Sequence, residues 1–225
     1  MQEAEPADLK AMPAVVGRMR AVRAFRKLSK RKSTLAIPDA PRRYNVEVLP
    51  VNPFLVIPEV SSERRRYVPI GWLEPPTIPS NRVRIVENAS LELFALLTSA
   101  MHMTWLRHVG RRLEGRYRYS IGLVYNSFPA PSAKESQMRR FARPAQGVLK
   151  ARKIHSKTNL ADLYSHDLMP SELRDAHRIV DRAVDRLYRR KPFRSDQERF
   201  EHLLTLDAHS VDPAFSKSKL EAKDR

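Results

Sequence analysis

The sequence predicts an α+β fold, with a small irregular mixed sheet carrying a long N-terminal helix and a central helix, followed by an all-α C-terminal domain. Three observations carry that prediction. Apolar residues recur at three- and four-residue intervals towards both ends of the chain. Residues 38–88 break instead into short β-type runs bounded by prolines. Ser132-Ala-Lys-Glu135 and Ser195-Asp-Gln-Glu198 have capping-box spacing, in which a hydroxyl and a carboxylate satisfy reciprocal backbone donors at a helix start.

In chain order, Met12, Val15, Met19, Val22 and Phe25 predict a helix from about Ala7 to Ser29. Its other face is basic, with Arg18, Arg20, Arg23, Lys27, Lys30, Arg31 and Lys32 suited equally to a phosphate backbone or to water. The β-type runs are Val46–Leu49, Phe54–Val60, Tyr67–Leu73 and Val83–Val86, each limited by proline as edge strands are. Ser90 then caps a helix reaching about Val109, with Leu91, Phe94, Leu97, Met101 and Trp105 as its buried stripe and Gly110 as its stop. An aromatic-rich strand is expected over Tyr117–Phe128. Pro170 opens a helix with Leu173, Ala176, Val180, Ala183 and Leu187 on one face. Residues 208–225 lack periodicity and are expected to be a disordered tail.

Forty-two lysines and arginines face 25 aspartates and glutamates, a formal charge of +17 on 225 residues, and both halves share the excess. Such a surface suits a polyanion: DNA, RNA or an anionic membrane. There is no cysteine, which removes disulfides and thiolate metal sites and fits a cytoplasmic protein. The longest apolar stretch, Leu93–Met101, is about half a membrane span.

Enzymatic motifs are missing. Of six glycines none stands in a G-x-G arrangement, so no strand-to-helix turn offers its amides to S-adenosylmethionine or a nucleotide. Asn126-Ser127-Phe128-Pro129 has the wrong central residues for the motif by which amino-methyltransferases hold a flipped base. His177, Asp181 and Asp185 stand one turn apart, but with Arg178, Arg182 and Arg186 alongside, the row reads as a solvated, salt-bridged helix face rather than a metal site. No Asp…Glu-x-Lys nuclease constellation is found.

The series Val60-Ser-Ser-Glu-Arg-Arg-Arg-Tyr-Val-Pro-Ile-Gly71, Met101-His-Met-Thr-Trp105 and Tyr117-Arg-Tyr-Ser120 resembles the MmeI-like family of type IIL restriction–modification enzymes and related methyltransferases. Asn159-Leu-Ala-Asp-Leu-Tyr164, Leu168-Met-Pro170, Leu173, Ala176-His177, Val184-Asp185, Tyr188 and Lys191-Pro-Phe193 resemble the family's C-terminal helical module. The likeness covers roughly residues 8–207. It implies a DNA target-recognition domain at 1–130, partial on its N-terminal side with an incomplete sheet, and a helical domain at 131–207. It also implies duplex DNA as partner and an adenine-N6 methyltransferase elsewhere, as a subunit or domain that binds the S-adenosylmethionine. The chain itself is expected to catalyse nothing, and a split subunit, a gene remnant and an expressed fragment all fit.

Within that resemblance, two side chains one residue apart before the Tyr-Arg-Tyr-Ser strand read bases, here Glu114 and Arg116. A carboxylate accepts from cytosine N4 and an arginine fork pairs with guanine O6 and N7, so the two suit one C·G pair in the major groove. A second reading position falls near Asn81 and Arg82. Ser61, Ser62, Arg64, Arg65, Arg66 and Arg118 are assigned to phosphates, against the alternative that the loop arginines pair with Glu59 or Glu63. Three departures from the family pattern stand out: Arg111 where glycine is common, Pro144 in a helical stretch, and Ala130 for a usual tryptophan. Two other functions stay open, a helical docking module for a methyltransferase with nonspecific DNA affinity, and an RNA binder stacking bases on Tyr117, Tyr119 and Tyr125.

Overall fold

The computed structural model describes residues 5–44, 50–131 and 133–206. The expected strand at Val46–Leu49, the capping hydroxyl of Ser132 and the tail at 208–225 lie outside the described residues. The chain forms two compact units, residues 1–49 and 50–225.

The first unit contains α1 (Pro6–Lys10), α2 (Pro13–Lys27) and α3 (Lys32–Leu35). The single helix expected from Ala7 to Ser29 is therefore two. Pro13 breaks it, because proline lacks an N–H and its ring clashes with the preceding turn, so a helix starts at it but does not run through it. Met12 before it is non-helical at φ −119°, ψ 72°. No residue of α2 is fully buried; Val15, Met19 and Val22 of the expected stripe are half-buried, whereas Met12 and Phe25 are exposed. Arg26 folds the following segment back by donating to the carbonyls of Ile37 and Ala40 at 3.1 and 2.7 Å, and Arg23 of the basic face pairs with Asp39.

The second unit opens with two small sheets. Strands β1 (Phe54–Pro58), β3 (Gly71–Leu73) and β4 (Val83–Glu87) form the first in the order β3-β1-β4, and β2 (Val60–Ser61), β5 (Arg111–Leu113) and β6 (Arg116–Arg118) form the second in the order β2-β6-β5. All pairings are antiparallel. The one mixed sheet expected is thus two antiparallel ones, and the switch occurs at Glu59. Pro58 has no N–H to extend the β1 ladder; the Glu59 N–H then donates to the Arg82 carbonyl at 3.0 Å, while its own carbonyl accepts from the Tyr119 N–H at 2.8 Å. Gly71 is required by close approach, since a Cβ there would lie 2.7 Å from Val56 Cγ2.

The central helix is also two, α4 (Leu91–Leu97) and α5 (Ala100–Val109). Ser90 caps the first as expected, accepting from the Leu93 N–H at 3.1 Å. Thr98 and Ser99 make the break: their hydroxyls bond back to the carbonyls of Phe94 and Leu96, both at 2.7 Å, and Ser99 caps α5. Leu93–Leu97 and Ala100–Leu106 are buried on every side, and only His102 and Thr104 interrupt their apolar sequence. The strand expected over Tyr117–Phe128 ends at Arg118, and Ser120 caps a π-helical turn, Ile121–Tyr125.

Beyond lie α6 (Glu135–Met138), a 3-10 turn at Arg139–Phe141, α7 (Ala142–Ile154), α8 (Leu160–Leu163), α9 (Ser171–Tyr188) and α10 (Asp196–Leu204). Pro144 does not interrupt α7, because it lies in the first turn, where the N–H has no helical partner to lose. Ser195 caps α10, though the Glu198 carboxylate accepts from Arg194 N–H, one residue before the expected donor. The core is continuous from the strands (Leu55, Ile57, Val86) through α4 and α5 (Phe94, Met101) to the C-terminal helices (Val148, Leu173, Val180).

Candidate nucleic-acid interface

Strand alternation decides which side chains the β5–β6 hairpin presents. Arg111 pairs across from Arg118 and Leu113 from Arg116, so these four share one face, while Arg112 and Tyr117 share the other. Tyr117 is buried and Arg112 covers its ring at 4.1 Å, leaving Arg111, Arg116 and Arg118 exposed together. Arg111 was not among the expected site residues; its register opposite Arg118 across the two-residue turn is the signal that locates it. The hairpin loop is Glu114-Gly115. Glu114 sits at φ 57°, a left-handed conformation costing a non-glycine residue roughly 1–2 kcal/mol, and its carboxylate accepts from Arg116 Nη2 at 2.5 Å. The pair is 77% and 48% exposed, so in water it adds little stability.

Glu59 ties the turn at Asn81 and Arg82, where a second reading position is expected, to β6. Beyond its two backbone bonds, its carboxylate pairs with Arg118 at 3.1 Å and Arg84 at 3.5 Å, with the side chain only 15% exposed. The exposed Asn81 and Arg82 lie in the turn whose carbonyl Glu59 holds. Glu59 or Glu63 was the alternative partner for the 64–66 arginines; Glu59 serves Arg84 and Arg118 instead.

The loop from Ser61 to Arg66 divides. Ser61, in β2 opposite Tyr117, is 3% exposed with an Oγ that meets no hydrogen-bond partner, so strand alternation turns it inward and removes it from the phosphate set. Ser62 makes a local turn, its Oγ accepting from the Arg64 N–H at 3.2 Å. Arg64 pairs with Asp167 at 3.1 Å, Arg65 donates to the Ala161 carbonyl at 3.0 Å, and Arg66 Nε donates to the Tyr67 hydroxyl at 3.1 Å. The Glu63 carboxyl lies beside the hairpin loop, 3.8 Å from where a Cβ on Gly115 would sit.

The row on α9 reverses an expectation. His177, Asp181 and Asp185 are 0%, 6% and 8% exposed, facing the core rather than water. Tyr164 Oη accepts from Arg152 Nε at 2.8 Å, so its single hydrogen goes to His177 Nε2 at 2.6 Å. Burial, then the Arg152 charge, lowers the His177 pKa to about 3, and the imidazole is neutral. Asp181 accepts from the Tyr67 hydroxyl at 2.6 Å and the Ala100 N–H at 2.7 Å, and burial raises its pKa. Asp185 takes both arms of Arg199 at 3.0 and 2.7 Å. The described residues hold no group of three His, Cys, Asp or Glu placed for a metal ion, and no helix long and apolar enough to cross a membrane. Tyr119, 2% exposed with its hydroxyl 2.9 Å from His102 Nε2, and Tyr117 are core residues, which removes two of the three rings proposed for base stacking.

Residues 1–132 match the family model for the MmeI target recognition domain, and residues 133–212 that for the MmeI C-terminal domain. DNA methyltransferase A of Bacillus subtilis (strain 168) is 37% identical over 206 residues, 92% of this chain and 23% of that protein. The structure of the type IIL restriction-modification enzyme MmeI in complex with DNA is similar at a TM-score of 0.82 and 37% identity, over 96% of this chain and 28% of that one. The chain thus spans about a quarter of the length of these relatives.

Proposed function

The chain belongs to the MmeI family, as a target recognition domain followed by a C-terminal domain, and from that premise we propose that it reads a duplex DNA sequence for a methyltransferase part outside these residues. The observation that carries the proposal is the hairpin turn: Glu114 and Arg116, one residue apart and exposed, hold each other in the acceptor–donor arrangement that a C·G pair offers in return. A two-stranded β-ribbon fits the major groove, where each base pair presents a distinct pattern. Arg111 and Arg118 on the same face supply phosphate attraction, and Asn81 and Arg82 supply the second reading position. Adenine-N6 methylation, with cleavage where a nuclease is present, is the chemistry so directed. S-adenosylmethionine belongs to that other part, for no glycine-rich turn here offers it backbone amides. By itself the chain catalyses nothing.

Selection of bound duplexes from a randomised pool at near-physiological salt tests this. The wild-type chain is expected to enrich a short motif, and a Glu114→Lys, Arg116→Asp variant to invert one C·G position within it. A wild type that folds and binds but enriches nothing would leave only nonspecific affinity and overturn the reading.

A further inference from the structure

A cleft of about 390 Å³ brings Arg64, Arg65, Arg66 and Arg107 together with Glu63 and Asp196, four guanidiniums against two carboxylates. The carboxylates offset only part of that charge. Asp196 is shared, one oxygen accepting from Arg107 at 2.7 Å and the other from Arg199 at 3.0 Å, and Glu63 lies against the hairpin loop. Arg64 is matched by Asp167, whereas Arg65 spends a nitrogen on a carbonyl and Arg66 one on a phenol, and Asp181 and Asp196 act on Arg66 only through space.

Arg66 is also held from behind in two ways. Arg107 Nη2 donates to its carbonyl at 2.8 Å, and Arg107 is anchored through Asp196 and Arg199 to Asp185. Its Nε donates to the Tyr67 hydroxyl, which is fixed in turn on Asp181. Both supports end on buried acids of α9. A guanidinium aimed this way loses little freedom on meeting an anion, and its open edge matches two phosphate oxygens.

We infer that this cleft is a phosphate seat in which Arg66 is the ligand, Arg65 supplies supporting charge, Arg107 braces the Arg66 backbone, and α9 carries the mounting. The duplex as source of the phosphate rests on the DNA-reading proposal; the same chemistry would seat free inorganic phosphate. Because a phosphate carries no base identity, the seat, joined to the hairpin loop through Glu63, fixes the position of the duplex without adding to its sequence preference.

The test uses the full chain, Arg66→Gln and Arg66→Lys, with circular dichroism confirming that each folds. Duplex affinity measured across a salt series is expected to give a log–log slope shallower by about one for Arg66→Gln, as loss of one phosphate requires, with Arg66→Lys retaining the wild-type slope and all three proteins preferring the same bases. In parallel, inorganic phosphate is titrated while thermal unfolding is followed. An unchanged duplex slope with phosphate raising the melting temperature of wild type but not of Arg66→Gln supports the seat with a free anion as its ligand. An unchanged slope with no phosphate response, or an altered base preference in Arg66→Gln, overturns it. Should the wild type enrich no motif while the slope difference persists, base reading fails and the seat stands.

Discussion

The Tyr67 hydroxyl donates to Asp181 across 2.6 Å, joining the end of the arginine loop to the middle of α9, 114 residues later. The bond does double duty, since Asp181 also accepts from the first N–H of α5. Tyr67→Phe keeps the ring stacked on His177 at 4.1 Å but leaves a buried carboxylate one donor short. The expected cost is about 1–3 kcal/mol, read as a shift of the urea midpoint at unchanged slope. A midpoint within a few tenths of wild type would show that Asp181 finds another donor.

Acid is expected to destabilise the fold well above the carboxylate range. His102 and His177 are both fully buried, and burial lowers each pKa from 6.5 to about 3. The folded state therefore holds them neutral while the unfolded chain takes up protons below pH 6.5, so stability is lost as pH falls from 6.5 towards 3. At pH 5 the loss is about 2 kcal/mol per histidine. Asp181 works in the opposite sense, since its raised pKa favours the folded state at low pH, and offsets part of the loss at the acid end. Urea titrations at pH 7 and pH 5 measure the difference, and His102→Gln should reduce it by about half. A midpoint equal at the two pH values would contradict neutral burial.

Glu59→Gln keeps the shape and the two backbone bonds at the sheet junction but removes the charge shared by Arg84 and Arg118. With a side chain 15% exposed, the loss should cost about 1–3 kcal/mol of stability. Freed of its carboxylate, Arg118 adds net attraction for phosphate, so duplex affinity at low salt should rise while stability falls. Paired denaturation and binding measurements separate the two effects. Parallel falls in both would mean that Glu59 orders the reading surface rather than restraining its charge.

What the sequence discloses here follows the range of the forces involved. Local chemistry is legible: Ser90 and Ser195 cap the helices they were expected to start, and Leu173, Ala176 and Val180 are buried on the face their period marks, with Ala183 and Leu187 half-buried beside them. The α4–α5 break depends on hydroxyls competing with the helix and on Asp181 receiving the Ala100 N–H from 81 positions away, so an unbroken apolar period concealed it. The row His177, Asp181 and Asp185 looked solvated because arginines follow each member, whereas the partners that make its burial tolerable, Tyr67, Tyr164 and Arg199, come from three other parts of the chain. In the candidate site, Glu114 and Arg116 are exposed at a turn as their types suggest. Ser61 is not, because its side is set by pairing with Tyr117, a register that only the folded sheet fixes.

Arg116 and Arg118 stand two residues apart on one face, yet different effects are expected from removing them. Arg116→Ala leaves Glu114 and a guanine edge without a donor, so discrimination at one base pair should fall by about 1–3 kcal/mol. Glu114→Ala should relax the same position, and the double variant should lose less than the sum, because the two groups serve one pair. Arg118→Ala removes charge that any phosphate would feel; affinity should fall by a similar factor for every duplex, with a shallower salt dependence. Competition against the selected duplex and its single-base variants, repeated at two salt concentrations, distinguishes these patterns. Uniform weakening by Arg116→Ala would reduce it to a phosphate ligand, and the reading role would then have to rest on Asn81 and Arg82, which Glu59 holds beside the hairpin.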